Sequence, residues 1–158
     1  MVLLRRGFAA IASIEVAIKY PSTDSKGMVV KTIVHFEIPA NDVENLSKFY
    51  ADVFGWKFDK QQMSDMEYWT ITTGPRGKAV FGGMYKRTGA TDTPRNYIAV
   101  DKIDKAIETF MGAGGREVVP KAEIPTIGWS FIGADPEGNL IALFQATPPP
   151  KKKVKRKK

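Results

Sequence analysis

His35 and Glu37 stand two residues apart in Val34-His35-Phe36-Glu37-Ile38, a run in which apolar and polar residues alternate. Such alternation belongs to a strand with one buried face, so the two titratable side chains share the opposite face. An imidazole beside a carboxylate can act as an acid–base pair near neutral pH. The same two groups can equally satisfy each other as a partly buried, hydrogen-bonded pair, and the sequence leaves both readings open. Arg95 is the third candidate, a permanently charged fork suited to a carboxylate or phosphate. Trp69, Met84, Tyr97 and Trp129 are read as the lining of a small-molecule cavity, with core packing as the alternative for each.

These residues are positioned by one unit written twice. In Thr32 to Phe58 the strand carrying His35 and Glu37 ends at Pro39, and Asn41 or Asp42 can cap the helix that follows. Val43, Leu46, Phe49, Tyr50 and Val53 fall at helical spacing, and Gly55 stops the helix. Sixty positions on, Val43, Leu46, Tyr50, Val53, Gly55 and Phe58 correspond to Ile103, Ala106, Phe110, Ala113, Gly115 and Val118. A repeat of this size is a supersecondary unit used twice. The first unit reads strand 31–38, helix 42–54 and strands 56–61, 66–73 and 79–86. The second reads strand 95–100, helix 102–112 and strands 115–119, 126–133 and 139–145. Gly74-Pro75-Arg76-Gly77 and Asp135-Pro136-Glu137-Gly138-Asn139 are turns by composition. Neither unit buries its sheet alone, so the fold expected is α+β: two βαβββ modules in an open, curved half-barrel with helices outside. Val34, Phe36 and Ile38 then face the helix, and His35 and Glu37 the concave side.

Composition excludes several chemistries. The 158 residues contain no cysteine, so disulfides and thiolate catalysis are ruled out. A single histidine identifies no Ser-His-Asp constellation. Gly82-Gly83 sits in a strand without a following helix, and Gly112, Gly114 and Gly115 form a helix stop; neither is a nucleotide fingerprint. The net charge of +7 has one source: Lys151–Lys158 holds seven of the 24 basic residues, and the rest leaves 17 against 17 acidic ones. That tail, after the extended run Thr147–Pro150, reads as a nuclear-localisation or polyanion-binding segment, or as a solvated disordered end. Residues 1–27 are a leader outside the fold, and Val2–Ile18 is too short and too charged to span a bilayer. The domain proper is 28–147, with modules 30–88 and 94–146, and 148–158 is the tail.

HFEIPANDVENLSKFYADVFGW, VFGGMY, YIAVDKIDKAIETFMGAGGREV and DPEGNLIALFQ together resemble the vicinal oxygen chelate superfamily of glyoxalases, extradiol dioxygenases and bleomycin-resistance proteins. The resemblance covers about residues 30–146 and extends to uncharacterised proteins related to lactoylglutathione lyase. It implies paired modules around a cavity, built from one chain or a dimer. In its metal-dependent members the first and last strands of each module supply the ligands. Carried over at the sixty-residue offset, those positions are His35, Gly82, Arg95 and Ala142, of which only His35 can ligate a metal. No metal and no cofactor is therefore expected.

The function expected is a glyoxalase-like small-molecule binder or lyase-like enzyme without the usual metal site, with His35 and Glu37 as catalytic candidates. Arg95, Tyr97, Trp69, Trp129 and Met84 are the ligand-binding candidates. The alternatives are a sequestration protein and a nucleic-acid-associated protein. The partners expected are a small anionic or carbonyl-bearing molecule, a second copy in a homodimer, and nucleic acid held without sequence preference through Lys151–Lys158, with no membrane. The location expected is cytoplasmic, with nuclear or nucleoid association through the tail. Gly82 and Ala142 are expected to leave volume where ligands usually stand.

Overall fold

The computed structural model describes residues 21–61, 67–75, 78–124 and 127–147. Residues 1–20 of the leader, Arg76-Gly77 of the first turn, the first residue of the strand read at 126–133, and the tail 148–158 lie outside the described residues. The chain runs β1 (Ile33–Ala40), α1 (Val43–Phe54), β2 (Lys57–Gln61), β3 (Tyr68–Thr72) and β4 (Phe81–Lys86). It continues through β5 (Arg95–Ala99), α2 (Ile103–Gly112), β6 (Arg116–Ile124), β7 (Gly128–Ala134) and β8 (Leu140–Ala146). All ten read elements are present, and the main departure in extent is β6, longer than the run 115–119.

The strands form one sheet in the order β2-β3-β4-β1-β5-β8-β7-β6, open at β2 and β6. Each module pairs its first strand parallel to its last, β1 with β4 and β5 with β8. The modules meet where β1 and β5 run antiparallel, with His35 opposite Tyr97 and Glu37 opposite Arg95. At that seam Phe36 stands opposite its repeat partner Asn96, and His35 and Glu37 lie diagonal to theirs, Arg95 and Tyr97.

The helices are held at their ends by different means. Asp42 caps α1, its carboxylate accepting from the Asn45 amide at 3.0 Å, and Gly55 ends it in the left-handed region at φ 69°. Lys102 at the head of α2 offers no side-chain cap; the Ile103 amide instead donates to Gln145 Oε1 of β8 at 2.7 Å. The Asp135–Asn139 turn forms as read, with Asp135 Oδ1 accepting from the amides of Glu137 and Asn139. Residues 21–27, read as outside the fold, include part of a short hairpin. Thr23 bridges Val29, whose amide is clamped by both carboxylate oxygens of Asp101.

Three apolar clusters fill the molecule. Ala40, Val43, Ile71 and Met84 pack under α1 with Phe36, Ile38, Leu46, Tyr50 and Trp56. Val100, Ile103, Phe131 and Leu143 pack under α2 with Phe110 and Trp129. The third fills the concave side and contains Tyr68, Tyr85, Tyr97, Ile124, Ala142 and Phe144. Val34 belongs with this concave cluster, not under the helix as expected. The ladder register shifts between Ile33 and His35, which breaks the simple alternation there.

Candidate functional site

At the centre of the concave side, β1 supplies His35 and Glu37, β5 supplies Arg95 and Tyr97, and Tyr68 and Tyr85 reach in from β3 and β4. His35 is fully buried and Glu37 is 2% exposed. The two do not touch directly, as the sequence alternative supposed; Tyr68 stands between them. His35 Nε2 lies 3.2 Å from the Tyr68 hydroxyl, which donates to Glu37 Oε1 at 3.4 Å. Glu37 Oε2 accepts from Tyr97 Oη and from Arg95 Nε, both at 2.9 Å. Arg95 Nη2 also donates to the Tyr85 hydroxyl, which in turn donates to Asp92 at 2.6 Å. With Thr88, whose hydroxyl donates to Asp92 at 3.1 Å, these side chains form one network across both modules. Among the described residues, His35 Nδ1 of this network and Ser130 Oγ of β7 are buried without a hydrogen-bond partner.

Burial fixes the protonation states. It lowers the pKa of His35, and Arg95 adds to the lowering, while Glu37 and the Phe81 backbone oppose it; the ring is neutral at pH 7. Burial, reinforced by Glu37, pushes the phenols of Tyr68 and Tyr97 well above their ordinary values, so both stay protonated donors. Burial also raises Tyr85, though Arg95 pulls the other way. Burial disfavours the charge on Arg95, but Glu37, Tyr97 and Tyr85 together outweigh it and the guanidinium pKa is raised. The centre is a neutral imidazole, protonated phenols and one ion pair.

A metal of the kind implied by the resemblance does not fit this donor set. His35 Nε2 faces a phenol, and both Glu37 oxygens are engaged by three donors. Among the described residues, no group of three His, Asp or Glu side chains converges as a metal site would require.

The structure corrects several expected positions. Gly82 faces the helix side: a Cβ there would lie 2.4 Å from the Phe36 ring. Gly83 faces the concave side, opposite Glu37 in the ladder as Ala142 is opposite Tyr97. Glu37 and Tyr97 are sixty apart, but Gly83 and Ala142 are 59 apart, so the repeat loses one residue before its last strand. The expected free volume is also absent there. The Tyr68 phenol occupies the space over Gly83, where a Cβ would come within 1.7 Å of the hydroxyl, and Ala142 is fully buried in the concave cluster. Met84, read as cavity lining, is fully buried under α1. Trp69 and Trp129 lie on the helix side too, each beneath a lysine ammonium, Lys60 at 5.7 Å and Lys121 at 5.0 Å. Strand parity placed these three on the face opposite His35. Tyr97 and Arg95 are where they were expected, though Arg95 is already paired.

An open groove of about 350 Å³ lies elsewhere, lined by Phe36, Ile38, Tyr50, Trp56, Pro94 and Asn96, with Glu37 and Arg95 also contributing to its wall. Tyr50 and Trp56 lie parallel, their ring centroids 5.1 Å apart and planes 5° apart. Sequence reading missed this site because Tyr50 fits the apolar stripe of α1 and reads as core. The FYADVFGW cluster of aromatics at the helix end was the available signal.

Comparison with known proteins gives a consistent set of matches. Residues 32–74 match the family model described as bleomycin resistance protein-like N-terminal. A glyoxylase-like domain-containing protein of Didymella fabae is 31% identical over 112 residues, covering 68% of this chain and 88% of that protein. The candidate glyoxylase CFP32 of Mycobacterium bovis is 26% identical over 114 residues; the match takes in 70% of this chain but only 44% of that protein's length. Among solved structures, a glyoxalase/bleomycin resistance protein/dioxygenase superfamily member from Vibrio splendidus has the same fold. It superposes with a TM-score of 0.55 at 16% identity, covering 73% of this chain and 99% of that one.

Proposed function

The chain belongs to the vicinal oxygen chelate superfamily, and we propose that within it this protein binds a small molecule without metal-assisted chemistry. In this reading the concave centre holds the two modules together, and the groove beside Trp56 is the ligand seat. The observation that carries it is the state of Glu37. Its carboxylate already accepts from Tyr68, Tyr97 and Arg95, so both oxygens are engaged within the protein before any metal or substrate arrives. His35 as a general base would need a substrate within hydrogen-bond reach, and its fully buried ring sits among packed side chains. Binding or sequestration therefore ranks above lyase-like turnover.

Calorimetric titration with zinc, nickel or manganese is expected to show no tight equivalent, and the protein is expected not to turn over the glutathione hemithioacetal of methylglyoxal. One tight metal equivalent that disappears in His35→Ala would overturn the reading. A second role, non-specific contact with nucleic acid, is favoured by the seven basic residues in Lys151–Lys158. Such contact would weaken steeply as salt rises.

A further inference from the structure

Resting on the groove as the ligand seat, we propose that its occupant is an uncharged, planar aromatic molecule with a carbonyl or amide at one edge. The walls select the ring. Trp56 is the hub: Tyr50 stacks on it, and the rings of Phe36 and Phe54 tilt against it at 5.9 and 5.4 Å. Aromatic faces arranged this way favour a flat partner over a branched aliphatic one. A volume of about 350 Å³ lies at the lower end of small-ligand sites and suits one or two fused rings. The rim extends the same surface outward, since Phe49 and Phe54 are 54% and 58% exposed on α1.

The charge in the wall is already met. Arg95 is the cation that would attract a carboxylate, but Glu37 pairs with it at 2.9 Å and Asp92 lies 3.9 Å from its other arm. The Arg95 guanidinium is engaged on the concave side with Glu37 and Tyr85, so an anion in the groove finds no free cation and its desolvation would go unrepaid. What remains for polar recognition is Asn96. It stands opposite Phe36 in the ladder, is exposed, and its carboxamide makes no side-chain hydrogen bond among the described residues. The amide can donate to a carbonyl and accept from an N–H at the same edge. A carbonyl-bearing neutral ring uses both features, the stack and the amide.

The test uses two probes of one shape on the full chain: 2-acetylnaphthalene, which is neutral, and 2-naphthoate, which carries a carboxylate. Binding is followed by saturation-transfer NMR, with affinities from competition. The ketone should bind at least about tenfold more tightly than the carboxylate. Asn96→Leu, at an exposed position, should weaken the ketone by about fivefold, the worth of one hydrogen bond. Trp56→Leu should abolish binding of both probes, while Trp129→Phe, on the other module, should leave both unchanged. If the naphthoate binds as well as the ketone, or Asn96→Leu has no effect, the inference on ligand class fails while the groove still stands as the seat. If neither probe binds, or Trp56→Leu binds both as the parent does, the groove itself is not the seat and both readings fall together.

Discussion

The two modules share a plan and differ most at one position of the repeat. In the second module Phe110 lies over two glycines: a Cβ on Gly115 or Gly133 would come within 2.3 or 2.4 Å of its ring. The ring also packs edge-on against Phe131 at 5.9 Å. In the first module the corresponding residue is Tyr50, and Trp56 stands where the second module has Arg116. Tyr50 stacks on Trp56, and the pair forms one wall of a groove. One helix–sheet layer has an aromatic seated over glycines, and the other has a stacked aromatic pair that lines a groove. The two modules repeat one core, and a difference of one or two side chains leaves a groove in the first.

The largest expected effect follows from that contrast. Phe110→Ala should cost about 3 kcal/mol, because the glycines beneath it cannot fill the space it leaves. Tyr50→Ala should cost about 1 kcal/mol, since its ring borders open space. Urea unfolding of the two variants measures the difference, and equal costs would mean that both helices seal their sheets alike.

A smaller effect separates the concave centre from both helix layers. His35 is the chain's only histidine, and its folded pKa lies below the ordinary value near 6.5. The unfolded chain therefore takes up the proton first as pH falls, so the stability contributed by the neutral ring is fully present above about pH 6.5 and is lost as pH falls toward the folded pKa. The melting temperature of the parent should decline between pH 7 and 5.5, while that of His35→Gln stays flatter. A parallel decline in both would place the titration on other groups.

Much of this was legible in the sequence. The repeat and the strand alternation gave all ten elements, and they put His35, Glu37, Arg95 and Tyr97 on one face. Absolute facing on the other strands was harder. The one-residue loss between Gly83 and Ala142 sits in turns and strand starts that sequence spacing does not resolve. Trp69, Trp129 and Met84 were assigned by residue type, and only the ladder register with β4, β6 and β8 shows that they face the helices. That the concave side is full depends on Tyr68 reaching over Gly83, a contact between strands that no local pattern encodes.

The smallest effect concerns how each module starts its helix. Asp42→Ala removes a side-chain cap and should cost about 1 kcal/mol. Lys102→Ala should change stability by less than about 0.5 kcal/mol, because α2 takes its cap from Gln145 and not from the residue before it. Thermal unfolding of both variants checks this, and a Lys102→Ala loss as large as that of Asp42→Ala would show that the two starts are equivalent after all.

The most direct test is to see where a ligand lands. The chain has three tryptophans, Trp56 at the groove and Trp69 and Trp129 under lysines on the sheet, and each gives its own indole N–H signal in a nitrogen–proton correlation spectrum. Adding 2-acetylnaphthalene should move the Trp56 indole and the Asn96 carboxamide, and leave Trp69, Trp129 and the backbone amides of His35, Tyr97 and Ala142 in place. Shifts centred on His35, Tyr97 and Ala142, with Trp56 unmoved, would put the ligand in the concave centre and contradict the division of labour between the two sides of the sheet.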